Sequence, residues 1–117
     1  MWLFVRYGFF SISIFDGKFT VRARMKKHLE ALQTRFPGLT QYPIETHPDR
    51  DYRYRIYVPR PTWETVMDEL VREQEWSNFK QEVARFGGYD AYEDALHKVW
   101  KTMFRVQQLE AHGEDRQ

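Results

Sequence analysis

Asp16-Gly17 sits between two runs of alternating hydrophobicity, FFSISIF and KFTVRAR. It constrains the chain more than any other dipeptide. A two-residue hairpin loop of type I′ needs positive φ at both central positions, which Asp-Gly accepts readily. Such a loop also sets the register. Phe15 faces Lys18, Ile14 faces Phe19, Ser13 faces Thr20, Ile12 faces Val21, Ser11 faces Arg22 and Phe10 faces Ala23. One side of the ribbon then carries Phe10, Ile12, Ile14, Phe19, Val21 and Ala23, and the other Ser11, Ser13, Thr20, Arg22 and Arg24. Both strands sort cleanly under a single register, as a half-buried hairpin requires. Gly8 breaks the alternation on the N-terminal side, and a bulge or bend is expected there because Trp2 to Tyr7 is mixed on both faces.

A second alternating segment, Tyr52 to Val58, predicts another strand. Tyr52, Tyr54, Ile56 and Val58 point to the core, and Arg53, Arg55 and Tyr57 point away. A short strand near Ile44 to Thr46 and a turn at Pro48-Asp49-Arg50-Asp51 precede it. Met25 to Phe36 reads as an amphipathic helix with Met25, Leu29, Leu32 and Phe36 on its stripe, stopped by Pro37-Gly38. Pro59 and Pro61 end the second Arg-bearing strand and open a helix whose stripe is Trp63, Val66, Met67, Leu70 and Val71. A break near Trp76-Ser77 introduces a short helix with Ser77 as its N-cap and Phe79, Val83 and Phe86 inward, ended by Gly87-Gly88. Asp90-Ala91-Tyr92-Glu93 resembles a capping box. The last helix runs to about Gln108 with Tyr92, Leu96, Val99, Trp100, Met103 and Val106 as its stripe, and the polar residues after it are expected to fray.

The expected fold is α+β: a four-stranded antiparallel sheet built from two ββα units, ferredoxin-like in layering, plus two C-terminal helices. The chain's 117 residues suit one core, so a single domain over residues 1–109 is expected, with residues 110–117 as a disordered tail. There is no cysteine, which removes disulfides, thiolate metal sites and a cysteine nucleophile. The apolar start spans only five residues before Arg6, too few for a signal peptide or a membrane span. A cytoplasmic protein that does not engage membranes is expected.

Several segments together resemble a family of small bacterial proteins of uncharacterised function: MWLFVRYGFFSI, FTVRAR followed by HLEAL, DYRYRIYV, NFKQEVA and ALHKVW. The resemblance covers most of the chain up to about residue 105. It implies no activity and transfers no catalytic residues. It does imply that the Tyr7-Gly8-Phe9-Phe10-Ser11 turn and the Asn78-Phe79-Lys80 helix start are typical of such chains.

Charge is unevenly distributed. Residues 1–60 hold eleven Lys/Arg and five Asp/Glu (+6), and residues 61–117 hold seven and twelve (−5), which leaves the whole at +1. The halves either attract one another or face separate partners. Guanidinium groups bind phosphate bidentately, so Arg22, Arg24, Arg53 and Arg55 on one sheet face form the candidate ligand site. Ser11 and Ser13 offer hydroxyls and Tyr57 a ring for orientation, with Phe9 as a further stacking surface. Lys80, beside the Ser-Asn-Phe helix start, is a further candidate anion contact. Solvent exposure of the arginines, or neutralisation by acidic helices, is the simpler account of the same stripe.

Histidines 28, 47, 97 and 112 form no metal-binding spacing. Glu93 and His97, one turn apart, are a pair that chance supplies often. No metal or other cofactor is expected. No nucleophile motif or glycine-rich phosphate loop is present. The expected function is therefore a non-catalytic module binding a small anionic ligand, in the first place a nucleotide or nucleotide-derived signal, or a short single-stranded nucleic acid. The competing expectation is a protein-interaction or inhibitor module, or a homo-oligomer such as a homodimer, using aromatic and acidic helical surfaces.

Overall fold

The computed structural model describes residues 1–86 and 90–113. The chain divides into two compact units, Met1–Trp76 and Ser77–Gln117.

The first unit is an α+β layer structure. Its strands are Trp2–Val5 (β1), Gly8–Phe15 (β2), Lys18–Ala23 (β3), Glu45–Thr46 (β4) and Tyr54–Pro59 (β5), and its helices Lys26–Arg35 (α1) and Arg60–Arg72 (α2). A short 3₁₀ turn, Pro37–Gln41, follows α1. The sheet has five strands in the order β1-β2-β3-β5-β4, all antiparallel. Four strands in a ferredoxin-like layer were expected. The additional one is β1, whose mixed faces hid its alternation. Leu3 and Val5 pack against the core, while Trp2 and Phe4 pair with Ser11 and Phe9 on the other side.

The β2–β3 hairpin has the expected register from Ser11–Arg22 to Phe15–Lys18. Asp16 and Gly17 take φ of 53° and 75°, as a type I′ turn requires. Gly8 marks the close of a second two-residue turn, Arg6-Tyr7, rather than a bulge, since it pairs directly with Val5. Its φ is +148°, and an added Cβ would lie 2.1 Å from the His28 ring. Only glycine permits that approach. The Phe9 N–H donates to His28 Nδ1 at 3.2 Å, tying α1 to the start of β2.

The core fills the space between one sheet face and the two helices. Phe10, Ile12, Val21, Ala23, Ile56 and Val58 of the sheet meet Leu29 and Leu32 of α1 and Trp63, Val66 and Leu70 of α2. Burial of each large side chain contributes about 1.5–3 kcal/mol. Val71, expected on the inward stripe of α2, is exposed. It lies one position past Leu70, on the flank of a stripe only as wide as one helix contact.

A polar cluster fastens the same layer at its end. Glu73 Oε2 accepts from Arg35 Nε at 2.8 Å, and Oε1 accepts from the Tyr7 hydroxyl at 2.7 Å, with Arg6 Nη2 3.6 Å from that oxygen. The Glu73 side chain is 11% exposed. Burial, and then the bond to Glu73, raises the Tyr7 pKa.

The second unit contains Phe79–Phe86 (α3) and Asp90–His112 (α4), which lie against each other. The N-cap of α3 is Asn78, not Ser77: its Oδ1 accepts from the Gln81 N–H at 3.0 Å. Val83, Tyr92 and Leu96 are buried as expected, but Phe86 is exposed. So are Val99, Trp100, Met103 and Val106 on the later turns of α4. The Gly87-Gly88 stop, the Asp90 side-chain cap and the tail from Glu114 lie outside the described residues. None of the helices among the described residues is long and apolar enough to cross a membrane.

Candidate anion site on the outer sheet face

The face of the sheet opposite the core contains one continuous lateral row. Trp2 pairs with Ser11, Ser11 with Arg22, Arg22 with Arg55, and Arg55 with Glu45, one residue from each of the five strands. Directly opposed residues on neighbouring strands have Cβ atoms roughly 5 Å apart. The register therefore fixes two guanidinium stems side by side near the middle of the sheet. The neighbouring row is Ser13, Thr20 and Tyr57.

The two central arginines differ from the others in their partners. Arg22 Nη2 donates to Ser11 Oγ at 2.8 Å, and its Nε donates to the Ser11 carbonyl at 3.4 Å. Arg55 Nη2 donates to the Tyr52 carbonyl at 3.0 Å, while Arg55 Nε is shielded from solvent and has no hydrogen-bond partner. Among the described residues neither arginine forms an ion pair. Glu45 and Asp51 have other partners. Glu45, opposite Arg55 in register, turns to His47 at 3.0 Å. Asp51 pairs with Arg24 at 2.9 Å and, through that hydrogen bond, raises the Arg24 pKa. Like charges in directly opposed positions destabilise a sheet, and salt screens the effect.

Arg24 is thus on the face but neutralised. Arg53 precedes β5 and is exposed, and its carbonyl accepts from the His47 N–H at 2.6 Å. Ser11 is buried beneath Arg22, Ser13 is exposed and Tyr57 is partly buried. The Thr20 hydroxyl between them is buried with no hydrogen-bond partner. Lys80 belongs to the second unit, where its ammonium lies 4.6 Å from the Trp100 ring centroid.

Tyr52 is the main departure from the sequence reading. Simple alternation assigns it to the core, but β5 begins only at Tyr54. Tyr52 is buried, as alternation expects, but on the outer face: it lies 4.2 Å from the Arg24 guanidinium, 5.1 Å from that of Arg22 and 6.2 Å from the Phe9 ring, and only 8% of it is exposed. Phe9 stacks on Phe4 at 4.5 Å and meets Trp2 edge-on at 5.6 Å. An aromatic strip of Trp2, Phe4, Phe9 and Tyr52 therefore borders the arginines. Its one legible signal was the pairing that β1 would make if it were a strand.

The helix side offers a competing concavity. A groove of about 550 Å³ between the 3₁₀ turn and α2 is lined by Phe36, Leu39, Thr62, Thr65 and Val66. Its only cation, Arg35, is taken up by Glu73 and by Glu69 at 3.9 Å. It therefore has no free charge to recognise an anion. No group of three or more potential metal ligands occurs among the described residues.

No family model, curated protein or solved structure matches the chain.

Proposed function

We propose that the protein is a non-catalytic binding module for a small phosphate-bearing ligand, in the first place a nucleotide or nucleotide-derived signal, held against Arg22 and Arg55. The observation that supports this reading is the register-fixed pairing of two arginines with no acidic partner among the described residues. An anion between them would relieve their repulsion and accept charge-assisted hydrogen bonds. Ser13 and Tyr57 border the position and would orient the ligand. Arg24 contributes less, because Asp51 already occupies it.

Native mass spectrometry of protein purified from its own cells tests the reading. A phosphate-bearing species should accompany the wild type and be absent from Arg22→Gln/Arg55→Gln. Titration with inorganic pyrophosphate and with adenosine triphosphate should show affinity falling steeply as salt rises. Equal affinity in wild type and double variant rules the reading out.

A second reading rests on a different observation. Val99, Trp100, Met103, Phe104 and Val106 are all exposed on α4, and apolar surface of that extent marks an interaction site. An interaction or inhibitor module, or a homodimer through α4, would cover it. Sedimentation of wild type against Met103→Lys tests this: a shift to a smaller species in the variant supports self-association.

A further inference from the structure

We infer that the aromatic strip beside the arginine pair is a base-stacking track, and that the phosphate-bearing ligand of this site is a short single-stranded nucleic acid. The inference rests on the proposed anion site and deepens it.

The first argument is the adjacency of the two surfaces. Trp2, Ser11, Arg22 and Arg55 lie in one row on consecutive strands of the sheet order β1-β2-β3-β5. At about 4.8 Å between strands, Trp2 stands roughly 10 Å from Arg22 and roughly 14 Å from Arg55. A stacked single strand advances about 3.4 Å per nucleotide, so a ligand engaging both ends needs roughly three or four nucleotides.

The second argument is the state of the rings. Trp2 is 69% exposed, although Phe9 supports its edge from behind. Phe9 is itself backed by Phe4 at 4.5 Å and flanked by Tyr52. A large indole held by neighbours yet open to solvent is a ready platform for a base. Base–aromatic stacking tolerates any sequence because every base presents a π-face. Tyr52 is buried under Arg22 and Arg24, so it offers no face to a base, but it joins the rings to the cations. The aromatic end and the cationic end thus share one side chain. Sheet faces that combine stacking rings with cations are a recurring way to hold splayed single strands.

Fluorescence anisotropy with three probes tests this: a labelled ten-nucleotide thymidine strand, a ten-unit abasic strand with the same phosphates, and labelled adenosine triphosphate. The thymidine strand should bind at least tenfold more tightly than the abasic strand. Trp2→Ala should remove about tenfold of that affinity, the effect of one lost stack, and leave the abasic strand unchanged. Trp2 is largely exposed, so this variant should fold, and circular dichroism checks that it does. Arg22→Gln/Arg55→Gln should weaken all three probes. Equal binding of thymidine and abasic strands, or no effect of Trp2→Ala, overturns the base track while leaving the anion site standing. So does binding of adenosine triphosphate without either strand. An undiminished affinity for all probes in the arginine double variant overturns the anion site as well.

Discussion

Arg22 and Arg55 are directly opposed on β3 and β5, and neither forms an ion pair among the described residues. Like charges in opposed positions destabilise a sheet by about 0.2–1 kcal/mol. Arg55→Gln should therefore raise the stability of the free protein by a few tenths of a kcal/mol, read by urea unfolding, while weakening anion binding at least tenfold. A loss of stability above about 1 kcal/mol would mean that Arg55 is chiefly structural.

Gly8 and His28 form a second relationship with a sharp consequence. Gly8→Ala adds a Cβ at 2.1 Å from the His28 ring and strains a φ of +148°. Overpacking of this kind costs about 1–3 kcal/mol, and the backbone strain adds to it. His28→Ala should cost stability alone, yet the double variant should be less destabilised than the sum, because the ring contacts at 2.1 and 2.5 Å are gone and only the position 28 Cβ, at 2.5 Å, still meets the new methyl. Strict additivity in the double-mutant cycle would contradict the packing account.

The same histidine makes stability depend on pH. Burial lowers the His28 pKa below its ordinary 6.5. The unfolded chain therefore binds a proton at a pH where the folded chain does not, and protonation favours unfolding. Stability should be full above about pH 6.5, decline as pH falls below it and level off once the folded-state pKa is passed. His28→Asn should flatten this decline in unfolding curves between pH 7 and 5. An unchanged slope would assign the effect to other groups.

Glu73 joins the β1–β2 turn to α1 and α2 through Tyr7, Arg6 and Arg35. Glu73→Gln preserves shape but removes the charge. The expected loss is about 1.5–3 kcal/mol, the range for hydrogen bonds to a charged group, measured by thermal unfolding. Burial first, and the bond to Glu73 second, raise the Tyr7 pKa. A raised pKa favours the protonated form in the folded state, so the Tyr7 contribution is complete below about pH 10 and is lost as pH rises through the folded-state value.

The sheet's centre was legible because Asp16-Gly17 fixes a register and alternation then assigns every side chain of β2 and β3 to a face. Arg22 and Arg55 followed directly from that logic. Two features escaped it. Strand β1 is too short, and too apolar on both faces, for a period of two to emerge, so Trp2 and Phe4 could not be assigned to a face. Tyr52 breaks the alternation because it precedes the strand, where the backbone no longer dictates which side a ring takes. The Glu73 cluster joins residues distant in sequence, and no local pattern announces it. On α4 the apolar spacing was read correctly, but periodicity marks a stripe without saying whether anything covers it.

The central claim is that an anion sits between Arg22 and Arg55. Arginine Nε–Hε resonances in a ¹⁵N-correlated NMR titration with inorganic pyrophosphate report on it most directly. The Hε signals of Arg22 and Arg55 should shift first and saturate together, ahead of Arg24, whose guanidinium is held by Asp51. If those two signals stay fixed while other arginines move, the anion binds elsewhere and the account is wrong.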